Sequence, residues 1–494
     1  MALDASLWIP MRWPCGPLDV EKEKRRPGFA PRDAEVLRAW CEPASLERLA
    51  GSPVNALVLS WATGSAADEE QRRAIAPLVV AARGRGLAVI GGVNGTADLR
   101  QAAQAAQAAG LAAIATDSKE PLAGLPVLRF RERGFGDRTP GGFAGDLGSA
   151  WPGMKTPMLL PTDADAQTGP TSAPWLDSNA WYVRLARTLL TPSALWLAFE
   201  PPEFGMPVPA GAYVQAVADT EVFGGRWLVS LDPHLRRGLS DGQAAALDTW
   251  RAIGRALAFF RRHDAWTGLL PAGQVGVLSD YAGSNEFLAF ELLNLLARQS
   301  SLYQILERGR ALGTPLDELD AVLYADEAAP GPELARKLYA FAEAGGTLIT
   351  PPGWEARGTP IEDSWLPRYR VYGCGRGRLA VAREAAADPQ ELAEDAQLLM
   401  SHRRDRVRVF NQGTGLWHYA TSEDGRSGVL HAFLFPTPYP LMPMTVWFRQ
   451  RWMSARVFTT EKDDAAPATR SAVEPGVEFH LPAASVYCAA EVTA

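Results

Sequence analysis

Eight short apolar runs, most of them separated by stretches of helical periodicity, occupy the first 270 residues. They are LWIP (7–10), VNALVLS (54–60), LAVIGGV (87–93), LAAIAT (111–116), LPVLRF (125–130), PMLLP (157–161), LWLAF (195–199) and RWLVSL (226–231). Runs this short and this apolar read as strands buried on both faces. The segments 69–83, 99–110, 178–190, 210–223 and 242–262 carry apolar residues at helical spacing. Strand alternating with helix implies parallel pairing through crossover connections, and eight such units in about 250 residues point to a (β/α)8 barrel. Fold class is therefore α/β.

The seventh run is the most informative. Five apolar residues end at Glu200, and Pro201 and Pro202 follow at once. Proline cannot donate to a strand ladder, so the strand stops where the carboxylate begins. In a parallel barrel, chemistry gathers at the C-terminal strand ends. Other polar residues just past a run are then candidates too. They are Arg12 and Asp19 after the first, Trp61 after the second, Asn94 after the third and Asp117 after the fourth. Arg129 lies near the end of the fifth, Asp163 follows the sixth with Trp175 further along the same loop, and Asp232 follows the eighth. Each also has an ordinary use, as a cap, a turn residue, a salt-bridge partner or a packed ring.

Charge and motifs exclude several classes. A net charge of −7 and a pI of about 5.6 argue against a nucleic-acid partner. The basic run KEKRR (22–26) is short, contains a glutamate and reads as a solvated loop. The four cysteines, Cys15, Cys41, Cys374 and Cys488, lack metal-site spacing, so neither a structural zinc nor any other metal or cofactor is expected. No GxGxxG, P-loop, HExxH or GxSxG pattern occurs. The start of the chain has no charged-then-apolar leader pattern, and no window is apolar enough to span a membrane, which predicts a cytoplasmic protein without a membrane partner. Sixteen tryptophans offer flat surfaces for sugar rings, and core filling uses them equally well.

Beyond residue 270 the pattern changes twice. Residues 271–400 read as an open α/β unit with strands at 274–280, 303–306, 319–325 and 346–350. Residues 401–494 read as a β-sandwich of short strands around the Asp424-Gly425 turn. The stretch LDAVLYADEAAPGPELARKLYAFAEAGGTLITPPGW resembles the middle domain of multi-domain β-galactosidases, a glutamine-amidotransferase-like fold. The stretches VRVFNQGTG, GVLHAFLF and LPAASVYCAAEV are similar to the C-terminal sandwich of many glycoside hydrolases. The resemblance implies three domains, 1–270, 271–400 and 401–494. It also implies a homo-oligomer, and a middle domain without amidotransferase activity, because its turn reads Tyr324-Ala325-Asp326-Glu327 where a nucleophilic cysteine belongs.

It further implies glycosidic bond cleavage by two carboxyl groups. In such barrels the acid follows strand four and the nucleophile strand seven. Glu200 matches the second position, whereas Thr116-Asp117 stands where the family has Asn-Glu. The substrate expected is an oligo- or polysaccharide. Arg12 and the Arg129–Arg131–Arg133 group would suit one with an acidic sugar. The rival reading is a carbohydrate-binding or assembly protein without turnover.

Overall fold

The computed structural model describes residues 4–132, 135, 138, 141–155, 175–202, 206–361, 366–386, 388–435 and 441–494. They form two compact units: 1–134, 139–153 and 190–264 make the first, and 135–138, 154–189 and 265–494 the second.

The first unit is an eight-stranded parallel barrel. Its strands, in order around the sheet, are Pro10–Arg12, Ala56–Ala62, Ala88–Val93, Ala113–Thr116, Val127–Arg131, Phe143–Asp146, Ala194–Leu197 and Arg226–Trp227. Closure comes from a parallel bridge between Met11 and Val229. The Arg12 N–H donates to the Val229 carbonyl at 2.8 Å, and the Val229 N–H donates to the Pro10 carbonyl at 3.0 Å. The chain thus has the expected barrel, with shifts at three strands.

The first strand begins at Pro10, because residues Ala5–Leu7 form a short 3-10 helix capped by the Asp4 carboxylate. The eighth is shorter than its apolar run, which continues into the closing bridge. The sixth is Phe143–Asp146, a segment whose glycines hid it as a loop; the run at 157–161 lies outside the described residues. Gly145 is required there, since a Cβ at that position would lie 2.6 Å from the Phe130 ring.

Side chains fill the barrel interior. Ala56, Val58, Ile90, Ala113, Ala115, Leu128, Phe130, Ala194, Trp196 and Leu228 form one buried cluster, with Trp8 and Phe143 packed against it. Trp196 is fully buried and has the Phe143 ring edge-on at 5.2 Å. Helices Pro17–Glu23, Asp68–Gly84, Leu99–Ala108, Ala210–Glu221, Pro233–Ser240 and Ala244–Arg262 fall in the connections or follow the eighth strand.

The second unit carries an open sheet and a sandwich. The open sheet runs Tyr303–Glu307, Val275–Ser279, Ala321–Tyr324, Thr347–Thr350, Gly377–Ala382, Tyr369–Cys374 and Thr359–Ile361. Its first five strands are parallel and its last two antiparallel. The sandwich packs a six-stranded sheet against a four-stranded one. Leu430, Ala432, Val457, Cys488 and Val492 of the first meet Val446, Phe448, Val477 and Phe479 of the second in one core. No helix among the described residues is long and apolar enough to cross a membrane.

Truncating the ring at the centre of the barrel tests this packing. Trp196→Ala should lower the unfolding free energy by about 3–5 kcal/mol in urea titrations. A loss below about 1 kcal/mol would mean that the interior is not packed around it.

Candidate active site at the strand ends

Alternation along a strand sends successive side chains to opposite faces. The interior positions fix the phase: Val58 on the second strand, Ile90 on the third, Ala113 and Ala115 on the fourth, Trp196 on the seventh. Continued past the strand ends, that phase would turn Asn94, Asp117 and Glu200 to the interior side. Arg12 is level with Val58 in the ladder and shares its face. Trp61 and Arg129 fall in the opposite phase.

Contacts bear this out for Glu200. Its carboxylate forms an ion pair with Arg12 and lies 4.0 Å from the Lys22 ammonium, with 37% of the side chain still exposed. Burial alone would push this carboxyl up. The Arg12, Lys22, Arg26 and Arg236 cations outweigh it and hold Glu200 below the usual carboxylate range. The group is an anion, as a nucleophile or base must be.

Asp19 sits close to the same charges with the opposite bias. It is buried on helix Pro17–Glu23, accepting from the Cys15 N–H and the Ser60 hydroxyl, each at 2.8 Å. Desolvation pushes its carboxyl up. The bonds from Ser60 and Cys15 and the Lys22 and Arg12 charges only partly offset that. Two carboxyl groups with pKa values driven apart are what acid/base division of labour needs.

The helix carrying Asp19 and Lys22 is itself anchored. The Arg236 guanidinium donates to Glu23 at 2.8 Å, both groups buried, and Arg26 approaches the same carboxylate at 3.6 Å. The KEKRR run is therefore not a plain solvated loop. Lys22 ends up beside Glu200, and a pattern of charged residues gave no sign of it.

Asp117 occupies a separate spot. It is exposed and lines a pocket of about 550 Å³ with Asn94, Thr96, Arg100, Thr116, Ser118 and Pro121. Arg129 is turned to the outer side, where it donates to the carbonyls of Ser118 and Glu120. These bonds tie it to the loop that bears Asp117.

Three other candidates are committed elsewhere. Trp61 is 2% exposed and donates its indole N–H to the Ala102 carbonyl at 2.9 Å, so it packs under helix Leu99–Ala108 and offers no face to a sugar. Asp232 caps helix Pro233–Ser240, accepting from the His234 and Leu235 N–H groups, and its other oxygen takes the Tyr213 hydroxyl at 2.7 Å. Trp175 belongs to the second unit, where the Arg298 guanidinium stacks 3.0 Å from its ring centre. Asp163 lies outside the described residues, as does Arg133.

A buried carboxylate also escaped the sequence reading. Asp146 ends the sixth strand, fully buried; Oδ1 accepts from the Ser149 hydroxyl at 2.6 Å, and Oδ2 has no hydrogen-bond partner among the described residues. It was missed with its strand. No cluster of three metal-ligating side chains occurs among the described residues.

The low proton affinity of Glu200 has a consequence for stability. The folded chain binds fewer protons there than the unfolded one, so the contribution is complete above the ordinary carboxylate pKa and fades as pH falls through the depressed folded value. Glu200→Gln should flatten the acid limb of the stability curve below about pH 5, read by thermal unfolding. An acid limb identical to the wild type would show that the ion pair contributes nothing.

Neither a protein-family model nor any curated protein matches the sequence. Solved structures do. α-L-Fucosidase isoenzyme 2 from Paenibacillus thiaminolyticus superposes with a TM-score of 0.54 at 11% identity, covering 91% of this chain and 95% of that one. An exo-β-1,4-mannosidase from Opitutaceae bacterium strain TAV5 gives 0.47 at 13% identity, covering 80% and 96%. A β-galactosidase from G. stearothermophilus gives 0.35 at 10%, and the chain spans 61% of its length. The likeness to the fucosidase is one of fold: barrel and following domains share an architecture with a solved glycosidase.

Proposed function

We propose that this protein is a glycoside hydrolase acting on an oligo- or polysaccharide at the C-terminal mouth of the barrel. The observation that supports the reading is the phase of the strands, which, continued past the seventh and fourth strand ends, would turn Glu200 and Asp117 to the same side. Glu200 is the nucleophile or base, since its cationic neighbours keep it ionised. Asp117 is the leading acid, and Asp19, whose carboxyl is pushed up by burial, is its competitor for that role. The fold shared with a fucosidase supports a sugar substrate and puts fucosides in the first assay panel. We read the segments 1–270, 271–400 and 401–494 as catalytic, assembly and sandwich parts of a homo-oligomer.

The finer reading is an acidic sugar. Arg12, Lys22, Arg26 and Arg236 all bear on the Glu200 position, and a uronic or sialic carboxylate approaching the mouth would meet that positive field. The second reading, carbohydrate binding without turnover, draws on one specific observation: the Glu200 charge is already engaged by Arg12.

Aryl glycosides separate these outcomes. Glu200→Gln should lower kcat by about 10²–10⁴-fold on every substrate the wild type cleaves. Loss of the acid should be severe on poor leaving groups and mild on dinitrophenyl glycosides, which need no proton. Asp117→Asn and Asp19→Asn therefore identify the acid by leaving-group dependence. A wild type inert on fucosides, galactosides, mannosides, glucuronides and sialosides alike would favour the binding reading.

A further inference from the structure

The second unit contains a pocket of about 430 Å³ that the barrel chemistry does not use. Its walls come from three places. The C-terminal end of helix Glu286–Arg298 supplies Gln299 and Ser300. Helix Pro389–Met400 supplies Gln397. Strands Val407–Phe410 and Gly415–Thr421 supply Phe410 and Trp417.

Both helices end at this pocket in left-handed caps of the usual helix-terminating kind: the Ser300 N–H donates to the Ala297 carbonyl at 3.0 Å and the Ser301 N–H to the Leu296 carbonyl at 2.9 Å, and Ser401 caps helix Pro389–Met400. The Ser300 hydroxyl accepts the Trp417 backbone N–H at 2.9 Å, which ties the strand carrying Trp417 to the helix end. On the helix side, Ser301 donates to the Gln397 amide oxygen at 3.3 Å, which orients that amide.

The lining chemistry narrows the ligand. Phe410 is 43% exposed and open to contact, while Trp417, partly buried against the sandwich core, also lines the pocket. Gln299 and Gln397 bring amides that both donate and accept. The charges are paired among themselves: the Asp405 carboxylate takes the Arg408 guanidinium at 2.9 Å and the His402 ring at 3.2 Å. A pocket with an open ring, amides and internally balanced charge suits a neutral, hydroxyl-rich ring with apolar faces.

We propose that this pocket is a second saccharide site, holding a neutral sugar unit of a glycan against Phe410 and Trp417 with hydrogen bonds from Gln299 and Gln397. It is carried by the second unit and stands independently of any reaction in the barrel. A polymer held here stays with the protein between encounters, which raises its local concentration by the arithmetic of linked sites.

The test is calorimetric titration of the full-length protein with cellotetraose, β-1,4-mannotetraose and β-1,4-galactotetraose, alongside Phe410→Ala and Gln397→Ala. Saturable binding of at least one is expected, weakened about tenfold by each substitution. Thermal unfolding of each variant checks that the fold persists. Phe410, at the surface, is the substitution least able to disturb it. Binding unaffected by both pocket substitutions, or none of the three sugars bound, would overturn the proposal. Turnover on aryl glycosides is measured separately, so failure of one reading leaves the other standing.

Discussion

The barrel's closing seam is the constraint on which the candidate site depends. It consists of little more than the bridge between Met11 and Val229 and the hydrogen bonds at 2.8 and 3.0 Å on either side. Without it the first strand would be an exposed edge, and Arg12 would end in solvent. With it, the end of the first strand lies one strand away from the seventh, and the Arg12 guanidinium reaches Glu200 past the short eighth strand. The ionised state of Glu200 follows from topology as much as from its own neighbours in sequence.

A second tier of charges keeps that mouth in shape. The Arg236–Glu23 pair is buried, so both ions have lost water, and removing one partner alone would cost about 3–5 kcal/mol by leaving the other uncompensated. That pair anchors the helix from which Asp19 and Lys22 project. Asp33 is tied to Arg237 in the same neighbourhood, and the Arg237 guanidinium also meets the His234 ring at 2.8 Å. Side chains that must present charge at a fixed place are better held on an element locked by such contacts than on a loop.

Much of the architecture was legible in the sequence because buried parallel strands write themselves as unbroken apolar runs. The runs at 54–60, 87–93, 111–116 and 195–199 each became a barrel strand. The sixth strand escaped because Gly145 leaves room for Phe130, and a strand with glycine at its centre carries no apolar signature. The site was legible in part. Glu200 was found from the abrupt Pro-Pro stop, whereas Trp61 and Arg129 were nominated by position alone. Counting alternate residues from the strand interior would have turned both outward. The partners of Glu200 were less accessible: Arg12 was singled out as a sugar contact and Lys22 assigned to a solvated loop, since no local rule connects the end of the first strand to that of the seventh. Asp232 looked functional at a strand end, but it caps the helix that follows, a use any Asp-Pro at a helix start allows.

The most direct measurement is a crystal structure of the Glu200→Gln variant holding a glycoside that the wild type cleaves. The account requires the anomeric carbon beside residue 200 at the mouth of the barrel, with the glycosidic oxygen facing Asp117 or Asp19. A glycoside seated away from residue 200, or bound with neither aspartate near its glycosidic oxygen, would contradict it.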